Sequence, residues 1–324
     1  MKIGILGTGA YGLALGNIII DNNHELVMWT KFKEEKELLD TTRCNERVIK
    51  NFKIPEQIIF TNDLKEAVNA KDLIIIAIPA AYILELVDNL KPMIKDNNIL
   101  IATKGIENET GKFINEILEE KLNTKNIAVI SGPSFAKDLV ERMPAGLSLG
   151  SNNEELITIV KKALCNKYIK LRETKDIIGV EACGAIKNVI ALAAGMLSGL
   201  GANESTKAML ITEAIHDMKE MLKAFDADSK TISSFAGIGD LLLTCNSESS
   251  RNFSFGKLIG EQKSEKEIER YLNTTTVEGM YTLKSIYKLL RNKKINIKVI
   301  DLIYNIIVRK EKPESLLTFL VEKD

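Results

Sequence analysis

The residue of this chain best suited to proton transfer is Lys187, which lies in the run Gly184-Ala-Ile-Lys187-Asn188. The helix predicted around it, Glu181 to Leu197, is crowded with small and apolar residues, where an exposed charge would be out of place. Buried lysines are rare unless they have a partner or a chemical task. Lysine is one of the usual general acids and bases, so Lys187 is the leading candidate. The alternative is a lysine that snorkels to the surface.

A carboxylate that could serve this lysine is Asp240, in the run Ala236-Gly-Ile-Gly-Asp240-Leu-Leu-Leu. The glycines allow the backbone to come close, and the aspartate stands just before an apolar run. Asp240 either caps the helix that follows or holds and orients the lysine ammonium, and the two roles are compatible.

An anion site is indicated by Ser249-Ser250-Arg251-Asn252, which supplies hydroxyls, a guanidinium and an amide in consecutive positions. The fork of arginine suits phosphate oxygens, and the neighbouring hydroxyl and amide groups could complete the pocket. The alternative is a solvated loop.

A dinucleotide site is indicated at the beginning of the chain. The apolar run Lys2 to Leu6 leads into Gly7-Thr-Gly9-Ala10-Tyr11-Gly12, a helical spacing follows, and a second strand is predicted from Leu26 to Trp29. In such a unit the first glycine permits a tight turn, the second lets a pyrophosphate approach, and the third allows close packing of helix on strand. We therefore predict a nicotinamide or flavin dinucleotide at this turn, the alternative being a purely structural one.

The end of the second predicted strand bears on which cofactor binds. A site for NAD usually has Asp or Glu there to accept from the ribose 2′-hydroxyl. This chain has Trp29-Thr-Lys31-Phe-Lys33 instead. Lys31 and Lys33 could pair with a 2′-phosphate, which favours NADP(H), with NAD(H) still possible. Alternatively, both lysines are solvated surface residues.

The scaffold predicted for these residues is a doubly wound α/β domain, because apolar runs and helical segments alternate. Its remaining strands are predicted at Ile58 to Phe60, Leu73 to Ile78, Ile99 to Ala102 and Ile127 to Ser131, with helices at Leu64 to Val68, Ile83 to Leu90 and Lys112 to Lys121. Ligands of such sheets lie beyond the carboxyl ends of the strands. The candidate site loops are therefore Pro79-Ala-Ala81, Thr103-Lys-Gly105 and Gly132-Pro-Ser-Phe135.

The pattern changes after Thr174, where apolar residues recur at helical spacing and long strand-like runs disappear. We predict helices at Glu181 to Leu197, Ser205 to Phe225, Ile238 to Leu243, Lys266 to Leu272 and Thr282 to Leu290. The fold class is thus α/β, an N-terminal Rossmann doubly wound parallel sheet over residues 1–176 with an all-α C-terminal domain over 177–324. The longest apolar stretch, Val189 to Ala202, is too short to cross a bilayer.

Composition describes an ordinary globular protein. The 324 residues suffice for two domains, and 44 basic residues balance 44 acidic ones, so no charge excess attracts nucleic acid or an anionic membrane. The four cysteines are scattered, which predicts reduced thiols and no metal site. The N-terminus enters a strand at once and lacks the parts of a signal peptide, so we expect a cytoplasmic protein.

Seven separated segments together resemble the bacterial-type NAD(P)-dependent sn-glycerol-3-phosphate dehydrogenases, in the family's order and over most of the chain. They are Gly7-Thr-Gly-Ala-Tyr-Gly12, Ala102-Thr-Lys-Gly-Ile-Glu107, Ser131-Gly-Pro-Ser-Phe-Ala136, Gly184-Ala-Ile-Lys-Asn188, Gly237-Ile-Gly-Asp-Leu241, Ser250-Arg-Asn252 and Val277-Glu-Gly279. The resemblance implies reversible reduction of dihydroxyacetone phosphate to sn-glycerol 3-phosphate, a backbone precursor of phospholipids.

The resemblance also implies roles for single residues. Lys187 would be the catalytic proton-transfer residue with Asp240 beside it. The substrate would be surrounded, besides these, by Lys104, Gly132, Ser134, Ser250, Arg251 and Asn252. The cofactor would contact the glycine turn with Ala10 and Tyr11, and also Lys31, Lys104, Ala136, Arg251, Thr276 and Glu278.

Some residues depart from the family pattern. Tyr11 stands where tryptophan is common, Lys31 stands where arginine is common, and the stretch from Arg43 to Phe52 lacks the usual histidine and proline-glycine pair.

Two other functions remain as alternatives. One is a dehydrogenase of the same architecture acting on hydroxyacyl-CoA, phosphogluconate or a keto acid; the other is a redox sensor that binds NADP(H) without turnover. The apolar helices of the second domain predict a homodimer.

Overall fold

The chain passes between two units in the computed structural model, which describes residues 1–108 and 110–322. The first unit comprises Met1–Thr103 and Ile114–Ile177. The second comprises Lys104–Phe113 and the chain from Ile178 onwards. The division predicted from the sequence assigned Lys104–Phe113 to the first domain, because a short segment between a strand and a helix carries no sign of which core it joins.

One sheet forms the centre of the first unit. Its strands are β1 Lys2–Leu6, β2 Glu25–Trp29, β3 Ile59–Thr61, β4 Leu73–Ile76, β5 Ile99–Ile101, β6 Ile127–Ser131, β7 Ala145–Ser151 and β8 Ile169–Thr174. Their order across the sheet is β3-β2-β1-β4-β5-β6-β7-β8, and the direction of winding reverses between β1 and β4. This order extends that of the doubly wound dinucleotide-binding folds, so the predicted Rossmann class is confirmed.

The sheet departs from an all-parallel arrangement at one place, since β7 pairs antiparallel with β6 while the other neighbours pair in parallel. Neither β7 nor β8 is predicted from the sequence. In both strands apolar residues alternate with small or charged ones, as in Ile169-Lys-Leu-Arg-Glu-Thr174. The outer end of the sheet therefore lacks the continuous apolar runs that mark strands covered on both faces.

The helices of the first unit follow the strands. They are α1 Ala10–Asp21, α2 Lys33–Thr42, α3 Leu64–Val68, α4 Ile83–Leu90, α5 Ile114–Leu122, α6 Ala136–Val140 and α7 Glu154–Leu164. α1 is buried along most of its length, and Leu13, Leu15, Ile18 and Ile19 join the core formed with the strands. α2 is not predicted, because only Leu39 of its residues is buried and the apolar stripe is correspondingly narrow.

The second unit contains helices and no strand among its described residues. They are α8 Ile177–Gly199, α9 Glu204–Ala224, α10 Asp240–Cys245, α11 Arg251–Gly260, α12 Glu265–Thr274, α13 Glu278–Asn292, α14 Lys298–Arg309 and α15 Ser315–Glu322. A short 3₁₀ helix, Ser229–Ser233, and a single π turn, Phe235–Gly239, precede α10. The all-α prediction for this part of the chain is confirmed.

Helix α8 is longer than the apolar stretch predicted from the sequence. Its 23 residues are long and apolar enough to cross a membrane by length and composition, with a mean hydropathy of 1.7. However, 94% of that window is buried inside the protein. We therefore interpret α8 as a buried core helix of the second unit.

Close backbone contact between α8 and α11 is permitted by glycines on both helices. A Cβ atom at Gly195 of α8 would lie 2.0 Å from the carbonyl oxygen of Phe253, and one at Gly256 of α11 would lie 2.0 Å from that of Leu192. Real Cβ atoms are not accommodated at such distances. The two helices, which carry Lys187 and Arg251 respectively, are therefore fixed against each other by backbone contact.

Candidate active site

Two lysines share one buried carboxylate in the second unit. Nζ of Lys187 donates to Oδ1 of Asp240 at 2.6 Å, and Nζ of Lys104 donates to Oδ2 of the same residue at 2.8 Å. The side chains of Lys187 and Asp240 are only 7% and 1% exposed. The lysine and the aspartate singled out from the sequence are thus in direct contact, and neither is a surface charge.

The elements around Asp240 explain its position. The backbone comes so close at Gly237 that a Cβ atom there would lie 2.1 Å from the carbonyl oxygen of Ile232. Asp240 follows as the first residue of α10, and the N-cap position is held by Gly239. The carboxylate therefore orients lysines instead of serving as the helix N-cap. Lys187, expected near the start of its helix, lies well inside α8.

The electrostatics of the pair follow from its burial. Burial lowers the pKa of Lys187 to about 8; Asp240 opposes this shift and the nearby charge of Lys104 adds to it. Burial alone would raise the pKa of Asp240, but Lys104 and Lys187 hold it below its usual range. At neutral pH the carboxylate is charged, and the Lys187 ammonium is a stronger acid than an ordinary lysine.

Thr244 is a member of this cluster that sequence reasoning missed. Its hydroxyl accepts from Nζ of Lys187 at 2.9 Å and donates to the backbone carbonyl of Asp240 at 2.6 Å. Thr244 lies four residues after Asp240, so one helical turn brings both to the same face of α10. That spacing was the available signal, but it has meaning only once a helix is known to begin at Asp240.

The predicted anion-binding residues lie at the start of α11. Ser250 is buried and is the N-cap, its hydroxyl accepting from the backbone N–H of Phe253 at 3.2 Å. Asn252 is also buried, and its Oδ1 accepts from the backbone N–H of Gly279 at 2.8 Å. Arg251 between them is exposed. This segment is a capped helix start and not the solvated loop that was the alternative.

The segment around Glu278 packs against the same elements. A Cβ atom at Gly279 would lie 2.5 Å from the carbonyl oxygen of Asn188 and 2.9 Å from Oδ1 of Asn252. Glycine at this position therefore lets the start of α13 approach α8 and α11. Burial raises the pKa of Glu278, while the charges of Arg251, Lys187 and Lys104 act in the opposite direction. Thr276, just before this segment, is exposed.

The glycine turn of the first unit has the geometry that a dinucleotide requires. Gly7 has a φ of +121°, which other residues rarely adopt, and a Cβ at Gly12 would lie 2.3 Å from the carbonyl oxygen of Gly7. At Gly9, the N-cap of α1, a Cβ would meet no heavy atom of the described residues within 4 Å. The open side of the turn faces the start of a helix whose first turn has no acidic residue, which fits a pyrophosphate.

The lysine predicted to select the cofactor is already in an ion pair. Nζ of Lys31 lies 2.5 Å from Oε1 of Glu85, and the two side chains are 57% and 54% exposed. Lys33 is exposed and is the first residue of α2. The sequence did not predict this ion pair, because Glu85 is remote from Lys31 along the chain.

The remaining predicted site residues of the first unit follow β6. The hydroxyl of Ser134 donates to the carbonyl of Gly132 at 3.0 Å, and it lies 3.2 Å from the hydroxyl of Tyr11. Ala136 is the first residue of α6 and packs against the core, and Ala10 is the first residue of α1. Tyr11 is thereby connected to the loop that was predicted to contact substrate.

The predicted site residues fall into two groups, one in each unit. The first unit holds Gly7, Gly9, Ala10, Tyr11, Gly12, Lys31, Gly132, Ser134 and Ala136, and the second holds Lys104, Lys187, Asp240, Ser250, Arg251, Asn252, Thr276 and Glu278. Across residues 1–108 and 110–322, no group of three or more His, Cys, Asp or Glu side chains is arranged to hold a metal ion.

Comparison with known proteins identifies the family. The model for the N-terminus of NAD-dependent glycerol-3-phosphate dehydrogenase matches residues 2–157, and the model for its C-terminus matches residues 176–318. The glycerol-3-phosphate dehydrogenase (NAD(P)+) of Fusobacterium nucleatum is 35% identical over 100% of this chain and 97% of its own length. The enzyme of the same name from Staphylococcus carnosus is 31% identical, over 100% of this chain and 98% of its own length.

A solved structure agrees with these matches. The crystal structure of glycerol-3-phosphate dehydrogenase from Coxiella burnetii superposes with a TM-score of 0.94 at 28% identity, over 99% of each chain. These full-length matches are all to glycerol-3-phosphate dehydrogenases, and the glycine turn of the first unit fits the dinucleotide that such enzymes use. The chain is therefore an NAD(P)-dependent oxidoreductase of the glycerol-3-phosphate dehydrogenase family.

Proposed function

We propose that this protein reversibly reduces dihydroxyacetone phosphate to sn-glycerol 3-phosphate, with Lys187 as the proton donor and acceptor. The observation that carries the proposal is the buried Lys187 ammonium, held at 2.6 Å by Asp240 and at 2.9 Å by Thr244. Reduction of a ketone builds negative charge on its oxygen, and a preorganised cation at that oxygen lowers the barrier.

The hydrogen bonds of Lys187 leave it one donor for the substrate. An ammonium has three N–H groups, and Asp240 and Thr244 accept two of them. The third N–H can stabilise the developing oxyanion and then transfer its proton. A pKa of about 8 lies close to neutral pH, so the same amine can give a proton in reduction and take one in oxidation.

The pyrophosphate and the adenosine ribose of the cofactor are assigned to the first unit. When bound, the nicotinamide ring supplies the hydride in reduction and accepts it in oxidation. The opening at Gly9 and the N-terminus of α1 would hold the pyrophosphate, and Lys31 would lie toward the adenosine ribose. Tyr11, Ala136, Lys104, Arg251, Thr276 and Glu278 are proposed as further cofactor contacts.

The substrate phosphate is assigned to the start of α11. Because Oδ1 of Asn252 accepts from the N–H of Gly279, the amide NH₂ of Asn252 is the group left to donate. The hydroxyl of Ser250 accepts from the N–H of Phe253, so its own hydrogen also remains for a ligand. With the guanidinium of Arg251 these groups are suited to a phosphate monoester. Lys104, Gly132 and Ser134 complete the proposed substrate contacts.

The wider role follows from the product. sn-Glycerol 3-phosphate is a backbone precursor of phospholipids, and we assign the enzyme to that supply. We further propose a cytoplasmic homodimer, without nucleic-acid or membrane partners, in which residues 1–176 bind the dinucleotide and residues 177–324 bind the substrate. Solution scattering of the purified protein tests the dimer, and a monomer mass would remove that part of the proposal.

The reaction is tested by following NADPH absorbance with purified protein and dihydroxyacetone phosphate. The assay is repeated with NADH and with unphosphorylated dihydroxyacetone. We expect oxidation of the reduced cofactor that requires the phosphate. Turnover of a non-phosphorylated keto acid would instead assign another substrate, and cofactor binding without any oxidation would indicate a sensor.

The role of Lys187 is tested by Lys187→Met, which removes the transferable proton and keeps an unbranched side chain. We expect kcat for reduction to fall by about 10²–10⁴-fold, the usual contribution of a general acid, while cofactor still binds. Lys223→Met, which removes an exposed lysine paired with Glu220 on α9, is the matched control and should retain activity. Retained turnover in Lys187→Met would overturn the assignment.

A further inference from the structure

The ion pair between Lys31 and Glu85 joins elements on both sides of β1. Lys31 follows β2, and Glu85 lies in the first turn of α4, which follows β4. Both strands pair directly with β1, whose carboxyl end leads into the glycine turn. Nζ of Lys31 and Oε1 of Glu85 are 2.5 Å apart. The pair therefore lies at the carboxyl end of the sheet, where the winding of the strands reverses.

This position is the one at which doubly wound sheets bind dinucleotides. The crevice forms at the reversal point, and the residues after β2 meet the ribose of the adenosine. A 2′-phosphate would need a cation there, and Lys31 is placed to supply it. In this structure, however, the ammonium of Lys31 is already bound to a carboxylate.

We propose that Glu85 is a specificity-determining residue, which lowers affinity for NADP(H) relative to NAD(H) by competing with the 2′-phosphate for Lys31. The proposal rests on the dinucleotide site assigned above. The phosphate must displace or share the Glu85 carboxylate, and it also meets that group's like charge. A ribose with a free 2′-hydroxyl carries no such charge and needs no displacement.

The expected effect is modest because both side chains are more than half exposed. Exposed ion pairs contribute about 0.2–1 kcal/mol, which corresponds to a change in affinity of about 1.4- to fivefold. The competition should also weaken with salt, since exposed charges are screened over about 3 Å at 1 M ionic strength.

The test is calorimetric binding of 2′,5′-ADP, 5′-AMP, NADP⁺ and NAD⁺ to the full chain at low ionic strength. Glu85→Gln should bind 2′,5′-ADP and NADP⁺ about 1.4- to fivefold more tightly than the parent, with 5′-AMP and NAD⁺ unchanged. The difference should shrink at high salt. Because no dihydroxyacetone phosphate is present, these results do not depend on which substrate the enzyme reduces.

The same helix offers a matched control. Asp88 on α4 is exposed and pairs with Lys121 at 2.6 Å, so Asp88→Asn removes a comparable ion pair away from the end of β2. It should leave all four affinities unchanged. In a Lys31→Gln background, Glu85→Gln should have a smaller effect, because only the repulsion between the Glu85 carboxylate and the 2′-phosphate is then relieved. An unchanged affinity for 2′,5′-ADP in Glu85→Gln, or weaker binding of 5′-AMP and NAD⁺, would overturn the proposal; the latter would assign Glu85 to the ribose hydroxyl.

Discussion

The acidity of Lys187 sets the pH range in which each direction of the proposed reaction operates. Burial lowers the pKa of Lys187 to about 8 from an ordinary value of 10.5. Reduction needs the ammonium, which is populated below that pKa, and oxidation needs the amine, which is populated above it. We therefore expect kcat/KM for reduction to fall, and that for oxidation to rise, as pH increases through about 8. Profiles measured in both directions check this sign.

The charge of Lys104 is predicted to shift that midpoint. Lys104 and Lys187 bind opposite oxygens of Asp240, and the charge of Lys104 lowers the pKa of Lys187. Lys104→Met should therefore move the midpoint for reduction to higher pH. Asp240→Asn removes the attractive charge and should move it to lower pH. The midpoint is the informative quantity, because both variants will also bind substrate less well. Shifts of the opposite sign would contradict the electrostatic account.

Thr244 is predicted to hold the lysine in place through its hydroxyl. Thr244→Val keeps the shape but leaves one N–H of the buried ammonium without its acceptor. A hydrogen bond to a charged group contributes about 1.5–3 kcal/mol, so kcat/KM should fall by about 10- to 150-fold. Thr244→Ser keeps the hydroxyl and should retain most of the activity. Equal losses in the two variants would mean that the methyl group, and not the hydroxyl, matters.

At the residue scale, the sequence indicated single groups better than their partnerships. Lys187 could be identified because a charge inside an apolar helix needs an explanation. Its contact with Asp240 was one of two roles that the sequence left open for the aspartate, because the two residues come from different helices. Glu85 had no local sign at all. Exposed glutamates are common on helices, and only the folded sheet brings this one to Lys31.

At the scale of the element, two glycines of the strand–turn–helix unit at the N-terminus have different surroundings. Gly12 has no room for a side chain, whereas Gly9 has. Gly12→Ala should lower the free energy of unfolding by about 1–3 kcal/mol, the usual cost of overpacking, because its Cβ would lie 2.3 Å from the carbonyl of Gly7. Gly9→Ala should cost less than about 1 kcal/mol, since its Cβ points into open space.

Gly9→Ala, which should be the less destabilising of these two variants, should nevertheless weaken cofactor binding. In Gly9→Ala the added methyl group occupies the space assigned to the pyrophosphate, so NADPH should bind at least about tenfold more weakly, equivalent to about 1.4 kcal/mol. Chemical denaturation and fluorescence titration of NADPH measure the two quantities. A stable Gly9→Ala protein with unchanged affinity would place the pyrophosphate elsewhere.

Elements with a continuous apolar run or a regular apolar spacing were the ones that could be predicted from the sequence. β4 and β6 have every residue buried and read as continuous apolar runs. β8, which was not predicted, lies at the edge of the sheet with several exposed residues. α12 was predicted at Lys266 to Leu272 from its apolar spacing, although none of its residues is buried. Where one face of a strand meets water its apolar run is interrupted, so β8 gave no strand signal in the sequence.

At the scale of the whole molecule, the cofactor should stabilise the first unit, which holds the glycine turn. A ligand at 100 times its Kd raises the free energy of unfolding by about 2.7 kcal/mol when it binds only the folded state. NADPH at that concentration should therefore raise the unfolding temperature of this unit in scanning calorimetry. Gly9→Ala at the same NADPH concentration should show a smaller rise. An equal rise in both proteins would indicate a binding site away from the turn.

The excursion of Lys104–Phe113 into the second unit constrains how this protein can be recombined with others. A chimaera that joined a foreign dinucleotide-binding unit to the chain from Ile178 onwards would contain Asp240 and Lys187 without Lys104. To restore Lys104 to the cluster, the foreign sheet would have to receive the ten-residue segment after its fifth strand as well. The two halves of this enzyme are interleaved along the gene, so neither can be exchanged by a single crossover.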